Sequence, residues 1–163
     1  MKSISKKSLL TVMVISVGIM FLASCKKKSG DNQNSGNKVS MKITVTANGA
    51  DASDQVDFRV TAGNHDASQY GAPVWKVNGT ARGNENIVLV GSSDFTGSTK
   101  TYVFETVKPF DFGSLAVDII NSEGGPITIS YKTEVNGKVE TNENVVVAVE
   151  QSHNKRLAYG SNE

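Results

Sequence analysis

The sequence predicts an all-β fold: a single antiparallel β-sandwich of about seven or eight strands, immunoglobulin-like in its broad architecture. Three observations carry this expectation. After Val39 the apolar residues recur at every second position, as in strands with one face in a core and one in water. Clusters of Gly, Asn, Asp and Ser separate these runs, as turns require. No longer stretch after Val39 holds apolar residues at the i, i+3, i+4, i+7 spacing of a helix. At 163 residues the chain has room for one ordinary domain with appendages.

Lys2, Lys6 and Lys7 precede an apolar run from Leu9 to Ala23, broken only by Thr11, Ser16 and Gly18. A basic start, a short apolar core and small residues at its end describe a secretory signal peptide, assigned to residues 1–24. The run is shorter than the roughly 20 residues that a permanent spanning helix needs. It ends on Leu22-Ala23-Ser24-Cys25. This segment resembles the lipobox of bacterial lipoproteins: a branched residue, two small ones, then a cysteine. The resemblance implies that lipoprotein signal peptidase reads Leu22, Ala23 and Ser24. It implies too that Cys25, the one cysteine of the chain, carries a diacylglyceryl group and an acylated amino terminus. Each buried methylene contributes about 0.8 kcal/mol, so two chains anchor stably where one binds only marginally. The membrane, reached through acyl chains on Cys25, is the first expected partner.

Residues 25–38 are expected to be the lipidated cysteine and a flexible polar tether. Residues 26–38 read KKKSGDNQNSGNK, with no apolar side chain to repay the entropy of ordering them. Such a leash has an end-to-end distance of roughly 20 Å. In the lipoprotein resemblance, Lys26 is not the Asp that retains a lipoprotein in the inner membrane. The outer membrane is therefore expected, with the domain in the periplasm; the cell surface is the alternative.

The folded domain is assigned to residues 39–151. Val39, Met41, Ile43 and Val45 alternate with Ser40, Lys42, Thr44 and Thr46, and Val56, Phe58 and Val60 with Asp57, Arg59 and Thr61. Further strands are expected at 74–77, 87–90, 100–107, 115–121, 127–135 and 139–150. Asn136-Gly137 suits a two-residue type I′ turn. That register would put Ile127, Ile129 and Tyr131 on the face opposite Val145 and Val147. A three-residue loop with Gly137 in a bulge, pairing Thr133 with Val139 and Ile127 with Val145, buries both sets and is the expectation. Residues 152–163 read as a C-terminal tail.

Charge and motifs exclude more than they identify. The formal net charge is +1, from 17 basic and 16 acidic residues. From Val39 onward 10 basic residues face 15 acidic ones, a balance of −5. That is the wrong sign for binding nucleic acid, which needs clustered cations. One cysteine and two histidines give neither a disulfide framework nor a structural zinc site. His65 and His153 sit in polar stretches and read as solvent-exposed. No Gly-x-Ser-x-Gly and no phosphate-cradling glycine loop occurs, so neither a catalytic residue nor a cofactor is expected. Asp51, Asp54 and Asp57 recur every third residue, but a calcium loop wants alternating oxygen ligands and a terminal Glu. They read as a polar turn leading into a strand, and no metal site is expected. Glu105 and Asp111 flank a rim without making a glycosidase pair.

The candidate binding rim consists of loop aromatics: Tyr70, Trp75, Phe110 and Phe112. Exposed rings stack on sugar faces or anchor protein partners; packed rings would plug the ends of the sandwich instead. The expected function is a lipid-anchored envelope lipoprotein whose sandwich is a non-enzymatic binding module for an unknown protein or glycan. An envelope hydrolase or carbohydrate-active enzyme is one alternative. The other is an accessory subunit of a transport system: the hairpin at 127–139 is similar to the extracytoplasmic domain of MmpS-type membrane proteins.

Overall fold

The computed structural model describes residues 38–95 and 100–160. The signal peptide, Cys25 and the tether up to residue 37 lie outside the described residues. In chain order the elements are β1 (Met41–Asn48), β2 (Gln55–Gly63), β3 (Trp75–Val77), β4 (Thr80–Ala81) and β5 (Ile87–Val90). A single helical turn α1 (Ser92–Phe95) follows, then β6 (Lys100–Thr106), β7 (Phe112–Ile120), β8 (Ile127–Val135), β9 (Lys138–Val147) and β10 (Ser152–Gly160).

The strands form two antiparallel sheets, one ordered β4-β3-β6-β1-β8-β9 and the other β10-β7-β2-β5. The period of two explains the layering. Met41, Ile43 and Val45 of β1, with Phe104, Ile127, Ile129 and Tyr131 beside them, are buried from the six-stranded side. Val56, Phe58 and Val60 of β2 and Leu115, Val117 and Ile119 of β7 are buried from the four-stranded side. Fully burying such a side chain contributes about 1.5–3 kcal/mol. The fold is an all-β sandwich, as the alternation predicts. Among the described residues no helix is long and apolar enough to cross a membrane.

Two local expectations are corrected. The 135–138 connection is not a bulged three-residue loop. Asn136 (φ 52°) and Gly137 (φ 80°) both take left-handed backbone, and Val135 pairs directly with Lys138. This is the type I′ turn, for which glycine is suited because it has no Cβ to clash. The register is rescued two pairs further on: Glu134 pairs with Val139 but Thr133 with Thr141, so Glu140 is the extra residue. Ile127 then faces Val147 and Ile129 faces Val145. The turn stays tight because Asn136 is held from β1's side: its amide donates to Ser40 O and its Oδ1 accepts from Ser40 N, both at 2.8 Å.

The residues expected to form a tail instead form β10, paired with β7 from Ser152↔Ile120 to Gly160↔Phe112. Its inner positions are His153, Lys155, Leu157 and Tyr159, so the apolar alternation is diluted by two polar residues. Lys155 sits opposite the buried Val117 yet remains exposed at the edge. An inward charge on an edge strand discourages pairing with a further strand. The six-stranded sheet also gains β4, a two-residue strand too short to leave a periodic signal.

Candidate functional site

The two ends of the sandwich differ. At the end where the described chain begins, Lys38 is fastened: its Nζ lies 2.9 Å from Asp111 Oδ1 and donates to Asn64 Oδ1 at 3.3 Å. Val39 bridges Phe110 through two backbone bonds. The hydrogen bond from Lys38, with help from the His65 amide, holds the Asp111 carboxyl below the usual aspartate range. The long connection between β2 and β3 is built on two buried polar side chains. Asn64 donates through Nδ2 to Ser68 Oγ, and its own amide donates to Gln69 Oε1.

This framework disposes of the expected aromatic rim. Trp75 and Phe110 are completely buried, and the Trp75 Nε1 donates to Asn86 O at 3.2 Å. Phe112 is half-buried, with its ring 5.5 Å from that of His65. Tyr70 alone is open, at 65% exposure. Trp75 and Phe110 plug the end of the sandwich: Trp75 opens β3, and Phe110 bridges Val39 just before β7. His65 is exposed, as expected. His153 is half-buried, its Nε2 3.2 Å from the Tyr131 hydroxyl at the seam between the sheets. Burial pushes the Tyr131 phenol up. Glu105 and Asp111, the carboxylates of a hypothetical hydrolase, are each held by a lysine, Lys42 and Lys38.

At the opposite end, the β1–β2 and β7–β8 connections are clasped by carboxylates. Asp54, 6% exposed, accepts from Ser122 N and Asp51 N, each at 2.9 Å. Asp51 Oδ1 accepts from the Ser53 amide and hydroxyl, which keeps its carboxyl below the usual range. Gly124, at φ +83°, leaves the space that Asp51 Oδ2 fills; a Cβ there would lie 2.6 Å from that oxygen. In the same β7–β8 connection Asn121 is buried. Its Nδ2 donates to Gly125 O and Val147 O, while its Oδ1 has no partner among the described residues. Asp57 does not join this group. It lies on β2 opposite Asp118 and accepts from Gln55 Nε2. Among the described residues no three His, Cys, Asp or Glu side chains converge.

A third feature is a groove of about 360 Å³ on the outer face of the six-stranded sheet, lined by Ser40, Lys42, Lys76, Glu105, Thr106 and Glu134 among others. Sequence reasoning missed both it and the Asp54 clasp. Its charged residues come from four strands distant in sequence, and only the register brings them into one row.

No protein-family model matches the chain, and no curated protein matches it. Solved structures do. A DUF4425 family protein from Bacteroides ovatus is similar with a TM-score of 0.52 and 15% identity, over 75% of this chain and 94% of that one. The calcium-bound form of a protein from Parabacteroides distasonis gives 0.58 and 15%, over 80% and 100%. A DUF4425 domain of unknown function from Bacteroides vulgatus gives 0.53 and 13%, over 77% and 97%. At these identities the likeness is one of fold: the chain shares its sandwich with structures of the uncharacterised DUF4425 family.

Proposed function

We propose that the chain is a lipid-anchored lipoprotein of the bacterial envelope, with its sandwich serving as a non-enzymatic binding module. The observation that carries this reading is the placement of Leu22-Ala23-Ser24-Cys25 at the end of the apolar run, followed at once by a polar stretch and then the sandwich. Acyl chains on Cys25 would hold the domain at the membrane without a spanning helix. The outer membrane, with the domain on its periplasmic side, fits Lys26 after the cysteine. The module reading draws support from Glu105 and Asp111, whose lysine partners occupy the carboxylates an acid–base mechanism would use.

The test is Cys25→Ser in the native host. The serine variant should accumulate unprocessed or leave the membrane fraction, and should take up no radiolabelled palmitate. Normal trimming and sedimentation of the variant with membranes would sink the reading.

A second reading adds a ligand to the module, and one observation favours it: the similar chain from Parabacteroides distasonis was solved in a calcium-bound form. Here Asp51 and Asp54, with Asn121 Oδ1 and carbonyls of the β7–β8 connection, would hold calcium. The ion would supply positive charge between two connections whose carboxylates have no lysine or arginine partner among the described residues. Calcium should raise the melting temperature of the wild type and leave Asp51→Asn unmoved, with magnesium as control. Equal melting of both proteins with calcium and with chelator would dismiss this second reading alone.

A further inference from the structure

The groove on the six-stranded sheet carries charge that the sheet does not use fully for its own cohesion. Register places Lys76 opposite Glu105, Glu105 opposite Lys42, and Lys42 opposite Glu134, so four alternating charges run in one row across β3, β6, β1 and β8. Strands lie about 4.8 Å apart, which makes the row about 14 Å long. Opposite charges on facing strands ordinarily pair and contribute to the sheet. Here the pairing is skewed. Glu105 turns to Lys42 at 3.4 Å, longer than the roughly 2.7–2.9 Å of a tight charged hydrogen bond. Glu134 turns along its own strand to Lys132 at 2.5 Å, and that lysine keeps its carboxyl below the usual range and so ionised. Lys76, exposed at the end of the row, enters no ion pair among the described residues.

The row lies in a depression of about 360 Å³, whose floor includes Ser40 and Thr106. Small-ligand sites have volumes of about 300–1,000 Å³. An extended peptide advances about 3.3–3.6 Å per residue, so four residues span the same distance as the row. We propose that this groove binds a short zwitterionic peptide laid across the strands, its carboxylate on Lys76 and its ammonium on Glu134. Glu105 and Lys42, between the two ends, face the peptide's amide N–H and C=O groups. The Ser40 hydroxyl adds a donor or acceptor beside them. The unpaired Lys76 sets the direction, because a reversed peptide would bring its ammonium against that lysine. This inference deepens the binding-module part of the function proposed above and rests on it, but not on the lipid anchor.

Isothermal titration of the full chain in non-ionic detergent, at low salt, tests it with tetra-alanine. Saturable binding is expected, weakened at least about tenfold when the peptide is N-acetylated and C-amidated, and similarly by Lys76→Gln. Raising the salt should weaken it further. Lys76 is exposed, so circular dichroism of the variant should match the wild type. No saturable heat up to about 10 mM, equal binding of the blocked peptide, or unchanged affinity in Lys76→Gln would each overturn the proposal. Failure here leaves the Cys25→Ser fractionation result standing, so the groove and the anchor are judged separately.

Discussion

Replacing Trp75 with alanine should lower stability by about 3–5 kcal/mol, the largest loss expected from any single truncation in the domain. The ring is completely buried and is the largest side chain in the core. It also organises a weak neighbourhood. β3 has only three residues and β4 two, so the ladders of β3 to β4 and to β6 supply few hydrogen bonds. Around the ring, Nε1 donates to Asn86 O and the Trp75 carbonyl accepts from Arg82 N at 2.8 Å. Truncation would open a cavity and release the 82–86 connection together. Urea denaturation should give a lower midpoint with an unchanged slope. Trp75→Phe should lose less, because it keeps an apolar ring, and Asn86 O still accepts from the Ala62 amide at 3.0 Å. A loss below about 1 kcal/mol for the alanine variant would contradict the packing described.

Asp54→Ala should cost about 2–4 kcal/mol, measured with chelator present. Two partly buried N–H groups, those of Ser122 and Asp51, lose their acceptor when the buried Asp54 carboxylate is removed. Each buried donor left unpaired costs about 1–3 kcal/mol. Asp54→Asn should rescue only part of this, since an amide oxygen accepts one of the bonds while its NH₂ meets the other donor. The neighbouring Asp51→Ala should cost less, because that side chain caps the Ser53 turn near the surface. Equal stabilities for the Asp54 and Asp51 variants would remove the clasp between the two connections.

Much of this fold is legible in the sequence, and what escapes it does so for identifiable reasons. β1 and β2 can be read residue by residue because each alternates apolar and polar side chains without a break. Asn136-Gly137 reveals the turn, yet the bulge at Glu140 does not follow from local sequence. The ties between Asn136 and Ser40, 96 positions apart, hold the turn tight and push the adjustment into β9. β10 escapes because an edge strand buries little: Leu157 and Tyr159 carry the pattern, and His153 and Lys155 interrupt it. The aromatic residues mislead for a related reason. Trp75 sits two residues after Pro73 in a turn-rich stretch, but its burial is decided by residues 82–86 folding over it. The charged row is harder still, since Lys42, Lys76, Glu105 and Glu134 have no sequence spacing that would join them.

The central position of β1 has a mechanical consequence. It lies between β6 and β8, paired along most of its length on both sides, and the chain reaches it from Lys38. A pull on the N-terminal side of Lys38 is met first by the Asp111 contact and the Val39–Phe110 bridge. A pull directed along β1 would then have to shear two ladders at once instead of unzipping an outer strand bond by bond. A body held from this end would yield late under load.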